Sequence, residues 1–472
     1  MSEYREEVLN KLKVGSLTNL NESLNYSFGP QWVSWFKPNF SYNTNYTWNK
    51  PLNSVIDAAN LNLVKNTAIN LSISPTEIIE TFYTPLSKRQ SKPSSRTRSR
   101  GLSSFNSEED KDKETQKDSP EKKNSSEINS LFLERIYNES KKIEPLTLTI
   151  TNNTNRLSNG IDGDVPLGYR LGLKDSHGLS SVSEVGLNTG NEDIKKSFTA
   201  RSGIRFNPQT SLSISFNESI SSNINGYSID IRSISRDYIS FGNNLSKGFP
   251  FLNWSFRIGG LEKISFIKPY VSSVSLEHAF SGKQNLSWKF NEDGITPINL
   301  FGISSFEDDF NDSLQLSRVT RSFTPLIGIS TSFKNGVSTN IRSNVTHTLD
   351  EVATGLTYIS DNSILATITY NFSKGIRFEL PFTDRNINLR NNMNISLNFD
   401  FSNKKEEGSK DKINFVEQNF SNTRKSILRV TYTLTDDVTG SLFYEYREND
   451  TRLTGRRIDR DFGINLNVAI RG

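Results

Sequence analysis

The chain contains no cysteine in its 472 residues. That absence excludes a disulfide framework, a thiolate metal site and a cysteine nucleophile. Histidine is scarce as well, since the sequence has only His177, His278 and His347. These three are too far apart in sequence to show the spacing of a metal site, and none has a nearby partner of a catalytic triad. We therefore predict no metal, no cofactor and no enzymatic activity.

Long apolar runs are also missing. Hydrophobic residues make up 34% of the chain and the mean hydropathy is −0.54, whereas a spanning helix needs roughly 18 or more consecutive apolar residues. This excludes an α-helical membrane protein but leaves a membrane β-barrel open, because barrel strands alternate instead. The net charge of +4 is too small to indicate a nucleic-acid partner. The start "MSEYREEVLN" lacks a secretory signal, so an exported protein of this sequence is expected to belong to a longer polypeptide.

Strict alternation of apolar and polar residues is the dominant pattern. In "NNMNISLNFDFS", which begins at Asn391, every second residue from Met393 to Phe401 is apolar, which is typical of a strand with one dry and one wet face. Similar segments recur roughly fifteen times. Asn335-Gly336, Ser373-Lys374-Gly375 and Asp436-Asp437 are predicted to be hairpin turns.

Composition divides the chain into four parts. Residues 1–87 are predicted to be an N-terminal β segment with a short helical part, and residues 144–472 to be antiparallel strands. Between them, residues 88–127 are charged and almost without apolar side chains, which predicts a disordered linker or loop. Residues 128–143 carry apolar side chains at helical spacing and are predicted to form a short amphipathic helix. The segment "KKEEGSKDK" from Lys404 is predicted to be a solvated loop.

The alternation leaves open whether the dry faces pack in a protein core or contact lipid. Three features favour lipid. Alternation around Met393 and Val337 extends for about ten residues, enough to cross a ~25 Å apolar band. The polar face is almost uninterrupted Asn, Ser, Thr and Asp, and it includes Arg342 and Arg429. Aromatic side chains gather toward the predicted strand ends, where interfacial girdles lie.

The predicted fold class is therefore all-β: an antiparallel transmembrane β-barrel segment, part of a very large barrel, with disordered loop insertions. The predicted lumen-facing residues are Arg342, Asn394, Asn398, Arg429, Asn465 and Asn467. The predicted lipid-facing residues are Leu252, Trp254, Phe256, Met393, Ile395, Leu397, Phe399, Leu428, Val430, Tyr432, Phe462, Ile464, Leu466 and Val468.

Several long segments resemble a known family. They are "RSGIRFNPQTSLSISFN" from Arg201, "FPFLNWSFRIGGLEKISFIKPYVSSVSLEHAFSGKQNLSW" from Phe249, "FTPLIGISTSFKNGVSTNIRSNVTHTL" from Phe323 and "NLRNNMNISLNFDFSNKK" from Asn388, together with the ending "NLNVAIRG". In order and content they resemble the C-terminal part of the SprA (Sov) family, the outer-membrane translocons of the type IX secretion system, which is linked to gliding motility. The resemblance is densest from about Ala200 to Gly472.

The resemblance implies a protein-conducting barrel in the outer membrane of a Gram-negative bacterium, engaged in protein secretion and transport. It also implies the partners: outer-membrane lipid, secreted protein cargo, PorV-like or plug proteins at a lateral opening, and the remaining part of the barrel. This chain is far shorter than family members, so it is expected to supply only the last part of the wall.

Other readings stay open at this point. A self-contained outer-membrane porin or receptor barrel would also alternate, and so would a secreted β-rich adhesin or structural protein. Two local motifs indicate little chemistry. Asp461-Phe462-Gly463 matches the kinase magnesium motif without its companion motifs, and the acidic cluster from Glu307 to Asp312 lacks EF-hand spacing.

Overall fold

The computed structural model describes residues 17–50, 58–85, 125–180, 190–225, 229–241, 245, 247–290, 314–372, 376–379, 386–389, 391–435 and 437–469. The strands are β1 (Asn19–Phe28), β2 (Phe36–Asn49), β3 (Ala59–Ile73), β4 (Leu146–Ile161), β5 (Gly190–Asn207), β6 (Thr210–Asn225), β7 (Ile229–Ser240), β8 (Gly248–Pro250), β9 (Asn253–Gly259), β10 (Val271–Phe290), β11 (Leu314–Phe333), β12 (Val337–Val352), β13 (Gly355–Phe372), β14 (Ile376–Glu379), β15 (Asn386–Leu389), β16 (Met393–Ser409), β17 (Val416–Thr435), β18 (Val438–Thr451) and β19 (Gly455–Val468). The predicted all-β class is confirmed.

Seventeen strands form one sheet, and β14 and β15 form a separate hairpin. The main sheet is an antiparallel meander in which each strand pairs with the next one along the chain, from β1 through β13 and then from β16 to β19. The one exception lies between β6 and β10, where β7 and β9 each pair with both neighbours over different residues. The sheet therefore has the form of an open barrel wall.

One end of this wall is called the turn end. It contains the β5–β6, β11–β12 and β17–β18 turns. The opposite end is called the far end. The predicted turn at Asn335-Gly336 is found between β11 and β12, where Gly336 has a φ of +89° that favours glycine. The predicted turn at Asp436-Asp437 falls between Thr435 and Val438, which end β17 and begin β18.

Two sequence predictions about local structure are wrong. Residues after Ser373-Lys374-Gly375 were expected to return along β13, but β13 pairs with β12 and β16, and the chain at Ile376 pairs with β15 instead. The three turn residues themselves lie outside the described residues. The segment from Lys404 was expected to be a loop, but β16 continues to Ser409. Its charged residues remain in the ladder because the strand extends beyond its apolar half.

Two helices stand between β3 and β4. They are α1 (Pro75–Phe82) and α2 (Ser125–Ser140), so the helix expected over 128–143 begins three residues earlier. Ser74 caps α1 by accepting a hydrogen bond from the backbone N–H of Glu77 at 3.4 Å. The helices are joined by Tyr83, whose hydroxyl donates to Glu134 at 2.7 Å, and by Tyr137, whose hydroxyl donates to Glu80 at 2.9 Å. Of the segment predicted to be disordered, residues 88–127, the part 88–124 lies outside the described residues, and the last three residues belong to α2.

No single core runs through the sheet in its described part. Buried apolar side chains form three small clusters, centred on Trp288, Tyr46 and Tyr238. Each of the three centres lies on the same face of the sheet toward the far end. Apart from buried residues such as Phe280, most of the remaining apolar side chains of that face are partly or fully exposed. This distribution differs from that of a soluble sandwich, where both sheets bury their apolar faces.

Candidate functional site

One face of the sheet is polar across the whole wall. The ladder register places all six residues that were predicted to be lumen-facing on this face: Arg342, Asn394, Asn398, Arg429, Asn465 and Asn467. For example, Arg429 lies opposite Ser396 in the β16–β17 ladder, and Asn465 lies opposite Ser441 in the β18–β19 ladder. Side chains alternate between the two faces along a strand. Residues directly opposite each other in a ladder therefore lie on the same face, and so do residues two positions apart in one strand. We call the face with these six residues the polar face.

The other face, called the apolar face, collects the residues that were predicted to contact lipid. One row shows its continuity: Ile368, Leu397, Leu428, Tyr444 and Phe462 lie opposite one another on five consecutive strands. Four of these five side chains are solvent-exposed, from 37% for Ile368 to 64% for Phe462. Trp254, Phe256, Met393, Ile395, Phe399, Val430, Tyr432, Ile464, Leu466 and Val468 lie on the same face.

Leu252 is the exception among the predicted set. It lies just before β9, which begins at Asn253, so no ladder fixes its face. Its neighbour Trp254 is well placed, since its ring stacks on that of Phe280 with centroids 4.2 Å apart. Phe280 in turn contacts Phe323 with centroids 5.3 Å apart. These rings continue the apolar face from β9 across β10 to β11.

On β16 the apolar residues of this face occupy only the turn-end half of the strand. They run from Met393 to Phe401, after which the same face carries Asn403, Lys405 and Glu407. We call this apolar half the band. Aromatic residues expected at strand ends, such as Phe399 and Tyr444, therefore lie within strands. For these residues the expectation was wrong, because the strands are 14 to 20 residues long on β10–β13 and β16–β19. Trp48 and Phe372, which were expected at strand ends as well, do lie at the ends of β2 and β13.

The polar face is concave between β5 and β13. It encloses an open groove of about 850 Å³, whose lining includes Arg205, Ser213, Arg257, Ser275, Asn340 and Thr367. Hydroxyl and amide groups dominate this surface, and the two arginines each have a carboxylate neighbour. Such a lining can exchange hydrogen bonds with water or with the polar groups of another molecule.

Charges on the polar face are balanced by cross-strand pairs. The Glu277 carboxylate lies 3.1 Å from Nη2 of Arg342 and 3.9 Å from Nε of Arg257, so one acid bridges three strands. Arg429 lies over the ring of Phe443 at 5.9 Å. Exposed pairs of this kind contribute little to stability. Their effect is to keep the concave surface close to neutral while leaving it fully wettable.

A segment after β4, residues 166–179, lies over the apolar face beyond the band. We call it the strap. It begins with α3 (Leu167–Arg170), whose buried Tyr169 packs edge-on against Tyr46 at 6.4 Å. Arg170 donates through Nε to Glu22 of β1 at 2.6 Å. The hydroxyl of Tyr42 donates to the carbonyl of Leu171 at 2.8 Å.

Asp175 attaches the strap to two further strands. Its carboxylate accepts from Arg156 of β4 at 2.9 Å and from Lys65 of β3 at 3.0 Å. These hydrogen bonds hold the pKa of Asp175 below its ordinary value. The ring of His177 packs edge-on against Tyr169 at 5.4 Å, and burial lowers the pKa of His177 below its ordinary value. The strap is thus held in its neutral-pH charge state.

A second departure from the plain meander is the position shared by β7 and β9. Phe216 and Asn217 of β6 lie between the two ladders and pair with neither strand. Side chains replace the missing backbone partners there. Asp237 accepts from the backbone N–H of Asn217 at 2.7 Å, and Asn253 accepts from the backbone N–H of Gly282 at 2.8 Å. The sheet therefore stays bonded across the break.

The histidines occupy separate places, as their spacing predicts. His278 contacts the carbonyl of Leu326 at 2.7 Å through Nδ1, and His347 contacts the hydroxyl of Tyr358 at 2.8 Å. Within the described ranges no group of three or more acidic or histidine side chains could hold a metal ion. Asp461-Phe462-Gly463 is part of β19, and the acidic cluster from Glu307 lies outside the described residues. None of the described helices is long and apolar enough to span a membrane.

Comparison with known proteins adds little to this geometry. No family model matches the chain, and no curated protein matches it. Among solved structures, the ferric preacinetobactin receptor BauA from Acinetobacter baumannii aligns with 97% of this chain and 74% of its own, at 7% identity and a TM-score of 0.24. A likeness at this level defines neither a family nor a function.

The strap and the β7–β9 break were not predicted from the sequence. The strap residues "PLGYRLGLKDSHGL" have no alternation, and their partners Glu22, Lys65 and Arg156 are remote in sequence. One available signal was that charged residues interrupt the apolar positions of β3 and β4, at Lys65 and Arg156. A charge on an otherwise apolar strand face indicates that something polar covers it.

Proposed function

We propose that this chain forms part of the wall of an outer-membrane β-barrel in a Gram-negative bacterium. Outer-membrane lipid covers the apolar face, and the polar face lines an aqueous passage. The observation that carries the proposal is the row from Ile368 to Phe462, in which four apolar side chains on neighbouring strands stand exposed together. Leaving such a surface in water costs about 25 cal/mol per Å², and contact with lipid removes that cost.

The height of the band supports the same proposal. From Met393 to Phe401 the alternation covers nine residues, which rise ~26 Å along the strand at ~3.3 Å per residue. A barrel tilt of ~40° shortens this to ~20 Å, and the side chains extend it toward the ~25 Å apolar band of outer-membrane barrels. A secreted adhesin would need a second layer over this face, and the described residues supply none over the row at Leu397.

Strand direction distinguishes a complete barrel from a piece of one. Among the seventeen strands in the described part of the chain, β8 pairs only with β7, and β7 and β9 share one position, which leaves fifteen positions in the described wall. With an odd number in a meander, the two edge strands β1 and β19 run in the same direction. Bacterial single-chain barrels close with an even number of antiparallel strands. The wall is therefore suited to pair with further strands at both edges and not with itself.

The finer proposal is that this wall belongs to a protein-conducting translocon like those of the SprA family, in type IX secretion and gliding motility. It takes secreted protein cargo through the passage, meets PorV-like or plug proteins, and joins the remaining part of the barrel; it is not an enzyme. Support comes from the sequence resemblance, from the open edges and from the groove, whose hydroxyl and amide groups suit contact with a sliding polypeptide.

Fractionation tests the location and the size. An antibody to the exposed loop 410–415 is used to blot envelopes of the source cell, boiled and unboiled. Recovery in the outer membrane on a band several times larger than 53.4 kDa is the expected result. A heat-shifted band at 53.4 kDa would favour a self-contained porin or receptor. Recovery in the soluble fraction would overturn the membrane proposal.

Cross-linking tests the passage. A photo-reactive side chain at Asn398, on the polar face, is expected to capture exported proteins while secretion is active. The matched control is the same group at Leu397, one residue away on the apolar face, which is expected to capture lipid and no cargo. Equal capture of cargo at both positions, or at neither, would contradict the translocon proposal.

A further inference from the structure

The chain leaves the sheet at the end of β7 and returns at β9. Between these strands β7 pairs with β8, with Tyr238 opposite Pro250 and Ile239 opposite Phe249. The backbone N–H of Phe251 donates to the carbonyl of Asp237 at 3.2 Å, which closes the base of this excursion. We call residues 238–241 and 248–251 the Phe hairpin.

The Phe hairpin crosses the apolar face. The carbonyl of Ser240 accepts from Nη1 of Arg321 at 3.4 Å, and Arg321 lies on that face of β11 opposite His347. Tyr238 packs with Leu245 and Val319, and Leu349 and Tyr358 join the same cluster. Val319, Leu349 and Tyr358 belong to β11, β12 and β13, so the hairpin extends sideways over the outside of the wall.

Three phenylalanines of the hairpin are exposed to solvent. Phe241, Phe249 and Phe251 are 65%, 49% and 40% exposed. The rings of Phe241 and Phe249 lie 6.2 Å apart, and those of Phe249 and Phe251 lie 5.7 Å apart in an edge-on arrangement. Their parity is opposite to that of Tyr238, which packs onto the wall, and Ile239, which has the same parity as the phenylalanines, is buried. The result is an exposed aromatic cluster on a well-anchored support.

The cluster lies next to the far-end border of the band. On β11 the hairpin contacts Arg321 and Val319, the next residues of the apolar face beyond Phe323. The strap has the corresponding position on β3. Toward the far end, the apolar face of β3 carries Ile69 and Thr67 and then Lys65 and Leu63, and the strap contacts the last two. In both places the covering segment lies directly beyond the far-end border of the band. The cluster therefore stands where acyl chains would give way to headgroups.

We propose that the Phe hairpin is a membrane-interface anchor whose three phenylalanines insert into the border between headgroups and acyl chains. The occupant is lipid because the cluster continues an apolar band that lipid covers, so this inference rests on the proposed function. Aromatic residues favour this depth of a bilayer. An anchor on one side of the wall, attached through Leu245 and Ser240, would fix the height at which β11–β13 sit in the membrane.

The absence of cysteine from the chain allows a direct test. Phe249→Cys, Leu397→Cys and Asn398→Cys are made separately in the full chain, spin-labelled and reconstituted, together with the remaining part of the barrel, into vesicles of phosphatidylethanolamine and phosphatidylglycerol. Collision with oxygen, which concentrates in the acyl region, is compared with collision with a water-soluble nickel chelate. The anchor predicts that the oxygen-to-nickel ratio at position 249 lies between the high ratio at 397 and the low ratio at 398.

The outcomes separate the two proposals. A high ratio at 397 with a water-like ratio at 249 would overturn the anchor and leave the barrel wall intact. A label at 249 that is immobile and reached by neither reagent would mean that protein covers the hairpin, which also overturns it. A water-like ratio at 397 would overturn the proposed function itself. A second measurement does not depend on the label. The double variant Phe241→Ser with Phe249→Ser is expected to weaken retention of the protein in the vesicles. The double variant Phe241→Trp with Phe249→Trp is expected to keep it.

Discussion

The carbonyl oxygen of Tyr238 lies where a side chain at position 282 would begin. A Cβ atom on Gly282 would collide with this oxygen, because the chain passes over β10 as it leaves the sheet. Glycine is required here for close approach and not for its φ angle. The two residues together define the point at which the Phe hairpin crosses the wall.

Substituting this glycine is expected to displace the hairpin. Gly282→Ala should lower the free energy of unfolding by about 1 to 3 kcal/mol, the usual cost of overpacking. A matched control is Gly440→Ala in β18, where the nearest atom, in Leu434, is at 3.5 Å. Urea unfolding in detergent provides the measurement. Equal effects at both positions would show that the close contact with Tyr238 carries no special weight.

Neighbouring residues on β16 offer a test of the two faces. Leu397→Arg places a charge on the apolar face and should destabilise the membrane-inserted protein by about 2 to 4 kcal/mol. Asn398→Arg adds the same charge to the polar face and should change stability little. Folding into vesicles at increasing urea measures both. A larger loss for Asn398→Arg would reverse the assignment of the faces.

Much of this architecture follows from alternation alone. Register rows such as Leu397 opposite Leu428 were predictable because both residues keep parity along uninterrupted strands, and this fixes the polar set from Arg342 to Asn467 as well. Strand length was not predictable, since the charged continuation of β16 through Glu407 resembles a loop in composition. The pairing of β13 with β16 was not predictable either. Ile376 continues the alternation of β13, and nothing local indicates that it pairs with β15 instead.

Contacts between remote segments account for what the sequence analysis missed. Arg170 and Glu22 are 148 residues apart, and no periodicity relates them. The break between β7 and β9 also depends on contacts between remote segments. Asp237 looks like any polar strand residue, and its use as a substitute backbone partner for Asn217 depends on where β9 re-enters the sheet.

Acid is expected to release the strap. Because burial lowers the pKa of His177 below its ordinary 6.5, the unfolded imidazole binds a proton more readily, and stability falls as the pH drops through 6.5 toward the folded value. The pKa of Asp175 is lowered in the folded protein. Its carboxylate therefore stabilises the folded state at pH values above its ordinary pKa of 3.8, and this stabilisation is lost only below that pH. A spin label at Ser176→Cys should become mobile first in the His177 range. In His177→Phe that first step should disappear, and its persistence would exclude His177 as the cause.

The loop after β16 should behave differently. Asp411 accepts the backbone N–H groups of Ile413 and Asn414 at 3.0 and 2.8 Å, and these bonds hold its pKa far below the ordinary 3.8. The loop is therefore expected to stay closed at pH values that release the strap. Asp411→Ala should open it, so that trypsin cleaves at Lys410 or Lys412 much faster. Asp411→Asn keeps one acceptor and should be cleaved at an intermediate rate; cleavage as fast as in the alanine variant would show that the negative charge is essential.

The shared position of β7 and β9 also separates two properties that barrels normally link. The girth of a barrel is counted in strand positions around the wall, and a complete extra hairpin would widen it. Here the chain gains an external arm while the two half-strands together still count as one position, because Asp237 and Asn253 bridge the gap between them. The outer surface can thus be elaborated without any change in the width of the passage.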